Sequence, residues 1–188
     1  MNNVTRITGP VIPTKRSVVI FGLTHQGRHE LAKAFGTEYG LKVYTIDKGV
    51  YPDHGVAEKV LAEKAMGKEP CVVGYCRGAI NAPEDAFLVF LCSKLSDRAE
   101  KMALQQQISI EAAMAALHKT DNAFRNSNTV RPGTILGARE PGLAYYAGRK
   151  SVDDFLAVAG PAYEVWCAKM DEAARMTNKA VSRMAIAA

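Results

Sequence analysis

The chain has 188 residues, of which 48% are hydrophobic and 23% are charged. These are ordinary values for one globular domain, and they exclude a wholly disordered or fibrous protein. The formal net charge of +5 suits an anionic partner without choosing between a nucleotide, a nucleic acid and an acidic protein. Nucleic acid is the weakest of these, because the chain has no block of like charge and no basic stripe with interleaved aromatic residues.

The cysteines and the apolar segments bear on the cellular compartment. No two of the four cysteines form a C-x-x-C pair, and no histidine pair completes a zinc pattern. Such cysteines favour a reducing environment. The amino terminus lacks an apolar signal-peptide core, and no apolar run approaches the ~20 residues that span a bilayer. We therefore expect a soluble cytoplasmic protein that does not enter a membrane.

The first half of the chain alternates between strand-like and helix-like patterns after an irregular arm, residues 1–16. Short β-branched or apolar runs predict strands, and amphipathic runs predict helices. The elements expected here are strand 17–21, helix 29–39, strand 41–46, helix 56–66 and strand 71–75. Gly40 is a suitable stop for the first of the helices.

The second half continues the alternation, with strand 87–92, helix 96–107, helix 109–124, strand 143–147 and a helix from residue 151. Ser96 and Ser109 are predicted N-caps, and Ser151 with Asp154 resembles a capping box. Residues 126–143 are predicted to form a loop or flap. We expect an α/β fold with three layers, a parallel central sheet and helices on both faces, in which strand 87–92 is central.

Pro161 is expected to break the last helix. The predicted domain therefore spans residues 17–160, and residues 161–188 form an extra C-terminal helix. That helix carries Tyr163, Trp166 and Met170 at helical spacing, which suits packing on the sheet or a subunit contact. It is the candidate surface for a homo-oligomer.

The segment between the first strand and the first helix has the frame of a phosphate-binding loop, G-x-x-x-x-G-K-[ST]. In such a loop, backbone amides and a helix N-terminus converge on an anion. The candidate binding residues are Gly22, Leu23, Thr24, His25, Gln26, Gly27, Arg28 and His29. A glycine-rich turn in any α/β fold is the competing interpretation.

Three residues depart from that frame. Arg28 stands at the lysine position and replaces a compact ammonium with a planar fork. His29 removes the hydroxyl that usually faces Mg²⁺. Glu30 brings a carboxylate close to the expected phosphates, with the alternatives that it faces away or holds a metal. His25 and His29 lack a third ligand, so no metal site is predicted from protein side chains.

Several further segments follow the loop along the chain, and their order supports the interpretation of the loop as a phosphate-binding loop. They are Asp47-Lys48-Gly49-Val50-Tyr51, Val72-Val73-Gly74-Tyr75-Cys76-Arg77-Gly78-Ala79, Pro83-Glu84-Asp85-Ala86, Asp97-Arg98, Ile108-Ser109-Ile110-Glu111-Ala112-Ala113, and Asp121 with Arg125. On these segments, most of residues 17–160 resembles the cytidylate kinases, a family of P-loop nucleoside monophosphate kinases.

The resemblance implies phosphoryl transfer from ATP, with Mg²⁺, to CMP or dCMP. It implies that Arg77, Asp121 and Arg125 help to bind nucleotides and that Asp47 lies near the acceptor phosphate. With Arg28 on the donor phosphates, these residues are the candidate catalytic set. Arg98 is expected to pair with Glu111 or to face solvent, although the family pattern also allows a role at phosphate.

Other features depart from the family. The acceptor-binding insertion is reduced to residues 52–70, and Thr120 stands where the family often has an arginine. Two hypotheses follow: a nucleoside monophosphate kinase, which the overall pattern favours, or a nucleotide-binding or interaction protein that keeps the fold without the reaction.

Overall fold

A computed structural model describes residues 13–23, 25–45, 54–75, 84–126 and 142–186. Its strands are β1 (Val18–Gly22), β2 (Lys42–Thr45), β3 (Cys71–Tyr75), β4 (Phe87–Cys92) and β5 (Leu143–Tyr146). Its helices are α1 (Arg28–Tyr39), α2 (His54–Ala65), α3 (Leu95–Gln106), α4 (Ile110–Asn126) and α5 (Val152–Ile186). The strands pair in parallel in the order β2-β3-β1-β4-β5, which confirms the α/β prediction.

The middle of the sheet is β1, which pairs with β3 on one side and β4 on the other. Every residue of β1 is buried, as its continuous apolar sequence requires when both faces are covered. Strand 87–92 was predicted to be central. It is interior as β4, since β5 lies beyond it, but the middle position belongs to β1, which has two strands on either side.

Helices cover the two faces of the sheet. Alternate residues of β1 point to opposite faces, so Val18 and Ile20 join one core and Val19 and Phe21 the other. The first core also contains α1 and α5, whereas α2 packs into the second through Leu61 and Ala65. The three layers follow from this arrangement.

Helix α5 runs without interruption from Val152 to Ile186 and has Pro161 inside it. The expected break at Pro161 is therefore wrong. Phe155 before the proline and Tyr163 after it are buried in the same core. Packing on both sides of the proline holds the helical path, and it outweighs the hydrogen bond that proline cannot donate.

Tyr163 and Trp166 pack α5 against the sheet, as the sequence predicts. The Tyr163 ring lies 5.7 Å from that of Phe87, and the Trp166 ring lies 6.1 Å from Phe87. The Tyr163 hydroxyl also accepts a hydrogen bond from the Arg16 amide at 2.9 Å and donates one to the Arg16 carbonyl at 2.7 Å. The part of the arm that is described is thus attached to α5.

The same arm is held by charge. The Arg16 guanidinium contacts carboxylate oxygens of Asp85 and Asp171, each at 2.7 Å. The Thr14 amide donates a second hydrogen bond to Asp171, also at 2.7 Å. The Thr14 and Arg16 hydrogen bonds lower the pKa of the Asp171 carboxyl.

Helices α3 and α4 form a hairpin with a core of its own, built from Ala99, Ala103, Ala113 and Leu117. The predicted cap at Ser109 is confirmed, because its hydroxyl accepts a hydrogen bond from the Ala112 amide at 3.1 Å. The predicted cap at Ser96 is wrong, since α3 begins at Leu95 and Lys94 is its N-cap.

The capping box at the start of α5 is confirmed. Asp154 accepts from the Ser151 amide at 2.9 Å, and the Ser151 hydroxyl accepts from the Asp154 amide at 3.0 Å. In the parts of the chain that are described, no helix is long and apolar enough to cross a membrane.

Replacing Pro161 with alanine tests how the helix is held. Pro161 is exposed inside a continuous helix, so Pro161→Ala should raise the free energy of unfolding by about 1–3 kcal/mol. Urea denaturation measures this change, with Val158→Ala on the same helix as the control. A destabilised Pro161→Ala protein would show instead that the proline sets the position of Tyr163.

Candidate phosphate-binding site

The loop that follows β1 lies at the carboxyl edge of the sheet. It lies between β1 and β4, two neighbouring parallel strands whose outgoing connections lead to opposite sides of the sheet. From β1 the chain leads to β2 on one side, and from β4 it leads to β5 on the other. Gly22 at the end of β1 is in register with Leu91 of β4. Ligands of open α/β sheets bind at such a reversal of strand order.

Gly27 opens α1 in a left-handed conformation, with φ of 75°. No side-chain hydrogen bond from the described residues caps this end of the helix. The first internal bond is donated by the Leu31 amide to the Gly27 carbonyl at 3.0 Å. The amides of residues 28–30 precede that bond in the first turn, where helix N–H groups lack intrahelical partners and favour an anion.

His25 holds the bend of the loop. Its φ is 58°, a left-handed conformation that costs a residue other than glycine about 1–3 kcal/mol. Its Nδ1 lies 3.3 Å from Oε1 of Gln105, near the end of α3. The imidazole thus contacts the α3–α4 hairpin, and the loop has a strained residue where it approaches that hairpin.

Gln26 points beneath the loop rather than toward solvent, with 2% of its surface exposed. Its Nε2 donates a hydrogen bond to the hydroxyl of Ser93, just after β4, at 3.0 Å. A Cβ added to Gly22 would collide with the Gln26 carboxamide and with the Leu91 carbonyl. Glycine at position 22 is therefore required by this side chain.

Two charged residues of opposite sign flank the start of α1. Arg28 is partly exposed at the first position of the helix, and Glu30 is exposed two residues later. A Cβ on Gly27 would lie 3.1 Å from Oε2 of Glu30, so that carboxylate extends back toward the loop. At that position, the negative charge of the Glu30 carboxylate would repel a bound phosphate.

Of the four predicted acceptor-side residues, the structure describes the side chain of Asp121 alone. Asp47 and Arg77 lie outside the described residues, as does Thr24 of the loop, and Arg125 lies in α4 without a described side chain. Asp121 lies inside the α3–α4 hairpin, away from solvent. The nucleotide roles of these residues stay predictions.

The Asp121 carboxylate pairs with Arg98 through two hydrogen bonds, of 3.0 and 2.5 Å. Both side chains are buried. The expectation that Arg98 pairs with Glu111 or faces solvent is therefore wrong. Arg98 reaches Asp121 because α3 and α4 pack side by side, with Ala99 and Ala103 of α3 against Ala113 and Leu117 of α4.

A groove that sequence reasoning missed opens beside the loop, where β4 and β5 end. It encloses about 670 Å³ and is lined by Lys94, Ser96, Asp97, Tyr146, Arg149, Lys150 and Asp154. Lys94 follows Ser93, the partner of Gln26, so the groove starts next to the loop. A cue in the sequence was that the lining residues lie at the end of two predicted strands or within seven residues after it.

Two contacts beside this groove join α3 to Tyr146 and Arg149, at and after the end of β5. Tyr146 donates to Oδ2 of Asp97 at 2.6 Å, a hydrogen bond that raises the Tyr146 pKa. The Arg149 guanidinium donates hydrogen bonds to both carboxylate oxygens of Glu100, at 2.9 and 3.1 Å. Gly148 permits this closure, because a Cβ there would collide with the Tyr146 ring. Tyr146 remains 43% exposed and lines the groove.

Protein ligands for a metal are sparse. Across the described ranges, no three histidine, cysteine, aspartate or glutamate side chains come together as a metal site. His29 occupies the loop position where a hydroxyl would be needed next to a phosphate-bound Mg²⁺.

No protein-family model matches the chain, and no curated protein matches it. Solved structures do. A gluconokinase from Sinorhizobium meliloti 1021 superimposes with a TM-score of 0.54 at 14% identity, over 88% of this chain and 98% of that one. A shikimate kinase from Bacteroides thetaiotaomicron gives 0.51 at 12% identity, over 85% and 98%.

An uncharacterized protein from Eubacterium ventriosum ATCC 27560 superimposes with a TM-score of 0.56 at 12% identity, over 81% of this chain and 99% of that chain. At such identities the likeness concerns the fold. The chain shares the fold of this gluconokinase and this shikimate kinase. Its own sheet has five parallel strands in the order 2-3-1-4-5, and its last helix is long.

The Arg98–Asp121 pair yields a stability prediction. Asp121→Ala leaves a buried guanidinium without its partner and should lower the free energy of unfolding by about 3–5 kcal/mol. The double variant Arg98→Met/Asp121→Leu should recover most of that loss, because apolar side chains of similar volume replace a desolvated pair. Chemical denaturation measures both, and Lys119→Ala on the exposed side of α4 is the control. A stable Asp121→Ala protein would contradict a structural role for the pair.

Proposed function

We propose that residues 22–29 bind the phosphates of ATP and that the protein transfers a phosphoryl group to a small acceptor. The observation that carries this proposal is the start of α1 at Gly27, which has no side-chain cap among the described residues. It follows β1, the strand between β3 and β4. The kinase-type fold supports it. A nucleoside monophosphate, CMP or dCMP, is the acceptor that the sequence resemblance favours.

The residues present fit a phosphate chain. Backbone amides at the start of α1 would hold its oxygens, and Arg28 would add a charged donor beside them. The groove at Lys94 and Tyr146 begins one residue after Ser93, which contacts the loop, and it would receive the rest of the nucleotide. The exposed Tyr146 side chain would be available for stacking there. When bound, ATP supplies the transferred group, and the chain's part is positioning and neutralisation of charge.

The fit is poorer for Mg²⁺. His29 cannot supply the hydroxyl that commonly faces the ion, and a metal site of three protein ligands is absent from the described residues. Asp47, Arg77 and Arg125 are proposed for the acceptor side, on the resemblance.

A second candidate is a nucleotide-binding protein without turnover. Specific observations favour it: His25 adopts a strained conformation in the loop, Glu30 reaches back over Gly27, and Asp121 is already occupied by Arg98. The two candidates share the phosphate site and differ in chemistry, so separate measurements of binding and turnover distinguish them.

Charge substitutions at the start of α1 test the phosphate site. Charge-assisted hydrogen bonds contribute roughly 1.5–3 kcal/mol, so Arg28→Ala should weaken pyrophosphate binding by about tenfold or more. Arg28→Lys should weaken it less, and Glu30→Gln should strengthen it by removing a like charge. Isothermal titration calorimetry measures the affinities, with Lys33→Ala on the exposed side of α1 as the control. If neither the Arg28 nor the Glu30 substitutions change the affinity for pyrophosphate, the phosphate-site proposal is wrong.

Turnover decides between the two candidates. With ATP and Mg²⁺, a coupled assay of ADP formation should show activity with CMP or dCMP above that with the other ribonucleoside and deoxyribonucleoside monophosphates. Gluconate and shikimate belong in the panel because kinases named for them share the fold. ATP binding without turnover for any acceptor would support the second candidate. If the protein neither binds ATP nor turns over any acceptor, both candidates are wrong.

A further inference from the structure

The loop between β1 and α1 contains an amide side chain that the phosphate-binding frame does not call for. Gln26 occupies the position before the second glycine, and its side chain is buried under the loop. Burial of a primary amide is costly unless both its donors and its acceptor are paired. A buried glutamine here therefore requires a reason in the architecture of the site.

Its contacts supply that reason. The Nε2 of Gln26 donates to the Ser93 hydroxyl at 3.0 Å, across 67 residues of sequence. Ser93 directly follows β4, so this bond joins the loop after β1 to the segment after its neighbour. These are the two strands between which the strand order reverses. The side chain thus bridges the crevice from below.

Packing makes the bridge specific. The Gln26 carboxamide lies against the Cα of Gly22, in space that any Cβ at position 22 would need. Its Oε1 has no hydrogen-bond partner among the described residues. If the amide is rotated by 180°, its oxygen accepts from Ser93 and its nitrogen faces the Gly22–Leu91 side. Either orientation retains the bridge to Ser93.

The bridge acts on the residues that meet the ligand. Gln26 is bonded to Gly27, the left-handed residue that opens α1 and directs its first amides. Fixing the Gln26 side chain fixes the peptide that joins it to Gly27. On the other side, Ser93 is followed by Lys94, the N-cap of α3 and a wall of the groove.

We propose that Gln26 is a positioning residue: through its hydrogen bond to Ser93 it holds the phosphate-binding loop in register with the end of β4. This inference rests on the proposed function and deepens it, because it assigns the geometry of the anion site to a side chain that touches no phosphate. The Gln26 carboxamide packs under the loop and supports the backbone that leads to Gly27. The bound species is the phosphate chain of a nucleotide.

Pyrophosphate affinity measured by calorimetry tests the bridge. Gln26→Ala and Ser93→Ala should each weaken binding by about tenfold. The double variant should bind no more weakly than Gln26→Ala alone, since both changes remove one bond. Ser93→Thr retains the hydroxyl and should retain affinity. Gln106→Ala, on the exposed end of α3, is the matched control and should bind as the unaltered protein does.

Thermal unfolding of each variant accompanies the titrations. A role limited to filling space would lower the unfolding temperature of Gln26→Ala and leave affinity unchanged, which would overturn the inference while the phosphate site stands. Additive losses in the double variant would also overturn it. Failure of the unaltered protein to bind pyrophosphate would overturn the proposed function and this inference together. If Gln26→Ala fails to fold, the comparison of Ser93→Ala with Ser93→Thr carries the test alone.

Discussion

The structure depends on the complete burial of β1 between β3 and β4. All five residues of this strand are buried, and its two sets of side chains belong to different cores. A strand in that position has no freedom to slide, because a shift of one residue would exchange its two faces. The loop after Gly22 therefore emerges at a fixed point of the sheet, with fixed neighbours at Leu91 and Ser93.

The sequence was sufficient for much of the fold because its patterns are local. Continuous apolar runs identify β3 and β4 at their observed bounds, and Gly40 ends α1 in the expected left-handed conformation. The break at Pro161 failed because contacts of α5 with the sheet lie far away in sequence. Tertiary packing there overrides a local preference. The middle position of β1 likewise follows from pairing rather than from composition.

The site was predictable only in its backbone frame. Glycines at positions 22 and 27 indicate a strand–loop–helix turn, and the structure has one. The direction of the Gln26 side chain is a different matter, because its partner Ser93 is 67 residues away. The pairing of Arg98 with Asp121 has the same origin, since it arises when two helices pack against each other. Polar side chains whose partners are distant leave no local pattern.

The α3–α4 hairpin has a consequence for local unfolding. Its core of three alanines and Leu117 is separate from the two cores of the sheet, and both partners of its buried ion pair belong to the hairpin. Segments with their own core open as cooperative units at a free energy below that of global unfolding. Amide hydrogens of α3 and α4 will therefore exchange with solvent as a group, ahead of those in β1. His25 contacts Gln105 of that unit, so each such opening also releases the bend of the phosphate-binding loop.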